Sequence, residues 1–136
     1  MNLVLDASAA LALAFGDGDP EAVDRIEARL TGSAALVPQH WPLEVTNGVL
    51  VALRRQRLSP VSADRARELL LALPVQVDPE TGQFAWSRSF TLAERFGLTV
   101  YDAAYLELAL RLDAPLATLD QSLARAAREV GAAVLG

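Results

Sequence analysis

The sequence contains no cysteine and no lysine, and its only histidine is His40. The lack of cysteine excludes disulfide bonds, thiolate metal ligands and cysteine nucleophiles, and it is consistent with a reducing compartment. The lack of lysine excludes a P-loop, whose lysine binds phosphate. One histidine cannot build a histidine metal site alone, so we expect His40 to cap a helix or to pack in the core.

Long apolar runs are also absent, since no uninterrupted stretch reaches the roughly 18 residues that a membrane span requires. The N-terminal segment is apolar, but it has no basic start and it contains Asp6, so we do not expect a signal peptide. We therefore expect a cytoplasmic protein with no membrane association. Because 52% of the 136 residues are hydrophobic, a single domain over residues 1–136 can bury an adequate core.

The net charge of −5 argues against a nucleic-acid partner only if that charge is evenly distributed. All twelve basic residues are arginine, and residues 54–68 hold five of them against two acids, a local charge of +3. The simplest interpretation of this segment is a solvated helix face, with arginines that complement a helix C-terminus. Arginine must then supply any basic contact that the protein makes.

Short apolar runs alternate with helical patterns along the whole chain. Strands are predicted at residues 2–5, 34–38, 75–77, 114–119 and 132–135. Helices are predicted at residues 8–15, 20–30, 42–57, 59–73, 80–96, 99–112 and 121–130. In the fourth helix we expect Ser62 to be the N-cap and Leu69, Leu70 and Leu73 to face inward. Apolar strands separated by helices predict an α/β fold, in which a parallel sheet is covered on both faces.

Four acids occupy equivalent places on this predicted fold. Asp6 follows the first strand, Asp120 follows the fourth, and Glu44 and Asp102 lie in the first turns of two helices. Each has an ordinary explanation, because acids at helix N-termini cap free N–H groups; Asp102 in particular would complete a capping box with Thr99. Strand ends and the following helix starts share one edge of a parallel sheet, however, so the four acids could also converge on one cleft.

Converging carboxylates repel one another, and a cation relieves that repulsion. Oxygen ligands without histidine or cysteine favour Mg²⁺ or Mn²⁺ over zinc. Asn47 lies three residues after Glu44 and shares its helix face, so its amide could lie beside the metal site. Close helix packing would explain the adjacent Gly48 but not Asn47. Ser8 either caps the first helix or holds a metal-bound water, and Thr118 either orients Asp120 or fills the core.

Four segments together resemble the signature segments of PIN-domain ribonucleases, and more narrowly the VapC-type toxins of bacterial toxin–antitoxin pairs. They are VLDASAALAL, WPLEVTNGVL, LTVYDAAYLELAL and LATLDQSLARAAREVGAAVL, in that order over nearly the whole chain. The resemblance implies a five-stranded sheet of order 3-2-1-4-5, Mg²⁺-dependent RNA cleavage, an antitoxin partner and a homodimer. It assigns the metal-binding acids to Asp6, Glu44, Asp102 and Asp120, with Ser8, Asn47 and Thr118 in support.

We therefore expect a metal-dependent endoribonuclease, in which Asp6, Asp102 and Asp120 are the main metal ligands. Glu44 would orient or deprotonate water, directly or through another ligand. The alternatives are a PIN nuclease of RNA processing without an antitoxin and a non-catalytic module that retains the acids for metal or partner binding. Receiver domains and haloacid-dehalogenase-type phosphatases resemble this layout of aspartates, but they normally use a lysine that this chain lacks.

Overall fold

Five short apolar segments form a parallel sheet through the centre of the molecule, in the order β3-β2-β1-β4-β5. The computed structural model describes residues 2–136. The strands are β1 (Leu3–Leu5), β2 (Ala35–Val37), β3 (Val75–Val77), β4 (Leu116–Ala117) and β5 (Val134–Leu135). The predicted fold class and strand order are confirmed, although most strands are shorter than the apolar runs that indicated them.

Eight α-helices and one π-helical segment surround the sheet in the described residues. They are α1 (Ala7–Phe15), α2 (Pro20–Gly32), α3 (Trp41–Arg54), α4 (Pro60–Ala72), α5 (Thr81–Phe84), the π-helical segment (Ala85–Ser89), α6 (Phe90–Phe96), α7 (Val100–Leu112) and α8 (Gln121–Glu129). Helices α1, α3 and α4 pack on one another, whereas α5, α6 and α8 pack around α7, which also contacts β1. No helix of the described chain is both long and apolar enough to cross a bilayer.

The central strand β1 is completely buried because both of its neighbours and both groups of helices cover it. Leu3, Val4 and Leu5 have no exposed surface, as expected for an apolar strand inside a parallel sheet. In register, Val4 lies opposite Leu36 on one side and Leu116 on the other. Helix α7 contributes a continuous buried run from Ala103 to Ala109 to the same core. The start of α7 is thereby fixed relative to the end of β1.

Two expectations for α4 were wrong. Ser59, not Ser62, is the N-cap, because its hydroxyl accepts the Ser62 N–H at 3.1 Å and Pro60 fills the first helical position. Leu70 is buried and Leu73 is partly buried, but Leu69 remains 54% exposed. Leucines at adjacent positions point about 100° apart on a helix, so Leu69 and Leu70 cannot both face the same core.

Gly48 has a packing explanation, since a Cβ at this position would lie 2.5 Å from Leu11 Cδ1. A side chain at position 48 would therefore require Leu11 to move. Gly97 ends α6 in the left-handed conformation, which glycine adopts without strain.

A buried ion network ties the segment after β3 to the end of α7. Arg111 binds Asp78 at 2.6 Å and Glu107 at 2.9 Å, and its guanidinium lies 4.5 Å from the Phe84 ring centroid. Asp78 and Glu107 are 5% and 3% exposed. The sequence pattern did not indicate this network, because Asp78 and Arg111 are 33 residues apart in the chain.

Replacing Arg111 with Met should destabilise the protein by about 3–5 kcal/mol, because two buried carboxylates would lose their cation. The matched control is Arg67→Met, which breaks the exposed pair with Asp64 and should cost less than about 1 kcal/mol. Urea unfolding followed by circular dichroism measures both values. Equal losses in the two variants would show that the buried network contributes no more than a surface pair.

Candidate functional site

Asp6 is the first residue after β1 and the N-cap of α1. Its Oδ1 accepts the Ala9 N–H at 2.9 Å and the Ser8 hydroxyl at 2.7 Å, and its Oδ2 accepts the Thr118 hydroxyl. All three donors are electrically neutral. Burial to 3% exposure therefore raises the pKa of Asp6 to about 6, although these hydrogen bonds lower it in part.

Ser8 and Thr118 connect Asp6 to the loop after β4. Each hydroxyl donates to the Asp6 carboxylate, and each accepts a backbone N–H, from Leu119 to Ser8 and from Asp120 to Thr118, both at 3.0 Å. Ser8 is therefore not the cap of α1, which corrects one of its two expected roles. Thr118 contacts the backbone of Asp120 and not its carboxylate. Both residues therefore fix the position of the Asp6 carboxylate through hydrogen bonds.

Glu44 lies in the first turn of α3, where two side chains bind the same carboxylate oxygen. Its Oε1 accepts the Tyr105 hydroxyl at 2.9 Å and lies 3.0 Å from His40 Nε2. His40 Nε2 is also 3.0 Å from the Tyr101 carbonyl oxygen, so we assign the proton to this nitrogen, which faces two acceptors. Burial alone would raise the pKa of Glu44, but the hydrogen bonds from His40 and Tyr105 outweigh burial and lower it.

Asp102 and Asp120 occupy the starts of α7 and α8. Thr99 is the N-cap of α7, and its hydroxyl accepts the Asp102 N–H at 3.1 Å. The reciprocal capping-box bond from the Thr99 N–H to the Asp102 carboxylate is not formed in the described structure. Asp120 is itself the N-cap of α8, and its Oδ1 accepts the Leu123 N–H at 2.9 Å.

The four acids act on one another electrostatically. Burial, then Asp120, then Glu44 raise the pKa of Asp102, and Asp102 in turn adds to the raised pKa of Asp6. Such mutual effects require the carboxylates to lie near one another at the carboxyl edge of the sheet. We call the edge formed by Asp6, Glu44, Asp102 and Asp120 the acidic edge.

The acidic edge does not by itself enclose an ion. Within residues 2–136, no three histidine, cysteine or acidic side chains lie close enough together to hold a metal. Oxygens remain available, however: Glu44 Oε2 and Asp120 Oδ2 accept no hydrogen bond in the described structure, and Asp6 Oδ2 accepts only one. Asn47 is exposed and makes no side-chain hydrogen bond to these acids.

His40 and Tyr105 are contacts of Glu44 that the sequence analysis missed. As expected, His40 occupies the N-cap position of α3, although without a side-chain capping bond, and its ring packs edge-on against Tyr105; its Nε2 also lies beside Glu44. The available signals were spacings: His40 precedes Glu44 by four residues, and Tyr105 follows Asp102 by three. Both spacings place side chains on a common helix face.

Comparisons with known proteins agree on one family. The family model described as PIN domain matches residues 3–129. Ribonuclease VapC1 of Mycobacterium tuberculosis is 36% identical over 124 residues, which cover 90% of this chain and 89% of that protein. Ribonuclease VapC3 of Pyrobaculum aerophilum is 32% identical over 124 residues, covering 91% and 93% of the two chains. The crystal structure of PAE2754 from Pyrobaculum aerophilum has a TM-score of 0.69 at 23% identity, over 99% of this chain and 92% of that one, and supports the fold.

The parallel sheet, the acids at its carboxyl edge and the matching family model define a PIN domain. Because the curated relatives match nearly the full chain at up to 36% identity, the chain belongs to the VapC-type PIN-domain ribonucleases. It is accordingly a nuclease, a member of the hydrolases.

The raised pKa of Asp6 predicts an unusual pH dependence of stability in the metal-free protein. The pKa is about 6 in the fold against 3.8 for an unperturbed aspartate, so this residue's contribution is complete below pH 3.8 and is lost as the pH rises through 6. Between pH 4 and pH 7.5, wild type should therefore lose about 2–3 kcal/mol more stability than Asp6→Asn. Urea unfolding in EDTA at both pH values measures this difference.

The matched control is Asp64→Asn, an exposed aspartate on α4. It should follow the wild-type pH profile. If Asp6→Asn also follows that profile, Asp6 is ionised in the fold at no energetic cost, and its assigned pKa is wrong.

Proposed function

We propose that the chain is a Mg²⁺-dependent endoribonuclease and the toxin of a toxin–antitoxin pair, with Mn²⁺ able to replace Mg²⁺. The observation that carries the metal dependence is the buried Asp6 carboxylate, whose donors among residues 2–136 are all neutral, beside Asp102, whose pKa is raised by burial and then by its acidic neighbours. Carboxylates that nothing cationic balances form a site that a hard divalent cation stabilises. The proposed compartment is the cytoplasm, where RNA and Mg²⁺ are both present.

The side-chain donors of the acidic edge are all carboxylate oxygens, the kind of ligand that such a cation prefers. Asp6, Asp102 and Asp120 are the proposed ligands, and oxygen-only donors favour Mg²⁺ or Mn²⁺ over softer metals. Asp6 is already fixed by three hydrogen bonds, whereas Asp102 and Asp120 are half-exposed and can rotate to close the site. When bound, the cation would lower the pKa of water and offset charge on the phosphate.

Glu44 is the proposed residue that orients the attacking water and accepts its proton. Its Oε1 is occupied by His40 and Tyr105, which leaves Oε2 free to contact water. The two donors also keep the pKa of Glu44 low, so the carboxylate is ionised at neutral pH and can accept a hydrogen bond. Ser8 and Thr118 hold Asp6 in place and need not touch RNA.

Asp6→Asn should abolish RNA cleavage in Mn²⁺, because the amide keeps the shape and the N-cap of α1 but weakens the proposed metal site. Wild type in EDTA should be equally inactive, and Asp64→Asn should retain full activity. Gel analysis of total RNA measures cleavage, and circular dichroism verifies the fold. Cleavage by wild type in EDTA, or undiminished cleavage by Asp6→Asn, would refute the metal-dependent mechanism.

An apolar groove between α1, α2 and α4 is the proposed binding place for the antitoxin. Its volume is about 350 Å³, and its apolar lining includes Leu13, Val23, Leu30, Leu69 and Leu73. Leu69 is 54% exposed in the free chain, although a core leucine would be buried. An amphipathic helix or an extended strand of the antitoxin would cover these side chains. The second proposed partner is another copy of this chain, in a homodimer.

Co-expression with the small protein encoded next to this gene should yield a stable complex, and Leu69→Glu should disrupt it. Leu71→Glu is the matched control, because Leu71 lies on the same helix, is 89% exposed and does not line the groove. Size-exclusion chromatography with light scattering measures the complex and reveals whether it contains two copies of this chain. Failure to form any complex would favour the alternative, a PIN nuclease of RNA processing without an antitoxin.

A further inference from the structure

Tyr101 presents an exposed aromatic ring at the acidic edge. It directly precedes Asp102 at the start of α7, and 64% of its surface is exposed. Its hydroxyl makes no hydrogen bond within residues 2–136. An aromatic side chain with this much exposed surface contributes little to the core, so its place at the acidic edge calls for another explanation.

The position of Tyr101 is fixed although its ring is exposed. His40 Nε2 lies 3.0 Å from the Tyr101 carbonyl oxygen, and the two rings pack edge-on with centroids 5.6 Å apart. The same nitrogen lies 3.0 Å from Glu44 Oε1. The His40 imidazole therefore sets the distance between the tyrosine ring and the Glu44 carboxylate.

Tyr105, one helical turn further along α7, is a tyrosine with a structural role and serves as a comparison for Tyr101. It also packs edge-on against His40, but it is 1% exposed and its hydroxyl donates to Glu44 at 2.9 Å. Tyr105 thus uses both its ring and its hydroxyl within the protein. Tyr101 contacts His40 through part of its ring, and its remaining surface is available to a ligand.

We propose that Tyr101 is a nucleobase-binding residue, whose exposed ring stacks on a base of the single-stranded RNA held for cleavage. This inference rests on the proposed ribonuclease activity and adds a base-binding subsite to it. Unpaired bases stack on aromatic side chains with little regard to sequence, because every base has a π face.

The charge of the acidic edge explains why a neutral contact is useful at this position. Four acids repel the phosphate backbone, and the chain has a net charge of −5 with no lysine. Stacking of a neutral base on Tyr101 contributes binding energy that does not depend on the charge of the phosphates. Because His40 already restricts Tyr101, ordering this side chain on RNA binding costs little conformational entropy.

The test measures strand binding by Asp6→Asn in Mn²⁺, a background in which the proposed nuclease binds RNA without cutting it. The probes are a fluorescent twelve-nucleotide oligouridylate and an abasic strand with the same ribose-phosphate backbone, and fluorescence anisotropy reports binding. Tyr101→Leu in this background should weaken binding of the oligouridylate by about tenfold, within the range measured for single stacked bases. It should leave binding of the abasic strand unchanged.

Two further variants separate stacking from other effects. Tyr101→Trp should restore binding of the oligouridylate, because indole also stacks on bases, and Trp86→Leu should have no effect, because Trp86 is an exposed aromatic on the π-helical segment. Equal losses for both strands in Tyr101→Leu would overturn the inference and indicate a structural role.

Unchanged binding of both strands in Tyr101→Leu would also overturn the inference, but it would leave the nuclease assignment intact. The proposed function itself fails in a different way, which is the absence of Mn²⁺-dependent cleavage by wild type on oligouridylate and on total RNA. The two failures are therefore distinguishable.

Discussion

The structure depends on the buried carboxylate of Asp6, whose hydrogen-bond donors among residues 2–136 are all electrically neutral. Asp6 joins the end of β1 to the loop after β4 through the hydroxyls of Ser8 and Thr118, and it begins α1 by accepting the Ala9 N–H. Burial of a charge in such surroundings is unfavourable, and this is why the pKa of Asp6 rises to about 6. The same residue thus connects two strands, starts a helix and provides the most strongly perturbed acid of the site.

The molecule contains a second buried carboxylate cluster, and the contrast with the acidic edge is informative. Asp78 and Glu107 share Arg111, so each of these carboxylates has a cationic partner within the fold, and the guanidinium lowers the pKa of Asp78 despite burial. No arginine forms an ion pair with Asp6 or Asp102 within residues 2–136. The cluster of Asp78 and Glu107 thus has its cation within the fold, whereas Asp6 and Asp102 would obtain one only from the metal ion that we propose.

The sequence was sufficient to predict the features that depend on local pattern. Apolar runs located the five strands, and acids after strands and in first helical turns located the acidic edge, because parallel topology brings such positions to one side. Features that depend on contacts distant in sequence were missed: the pairing of Asp78 with Arg111, and the approach of Tyr105 and His40 to Glu44. The exposure of Leu69 was missed because adjacent leucines give no indication of which one faces the core.

Two of the four acids are also helix caps, and this has a consequence for how related sequences can diverge. Asp6 and Asp120 accept N–H groups at the starts of α1 and α8, whereas the cap of α7 is Thr99 and leaves the Asp102 carboxylate outside the capping interaction. A lineage that lost nuclease activity would remain under selection for Asn, Ser or Thr at positions 6 and 120, because a helix start there still needs an acceptor. Position 102 would be free to vary. Decay of activity in this fold should therefore preserve cap-forming residues at positions 6 and 120 and no particular residue type at position 102.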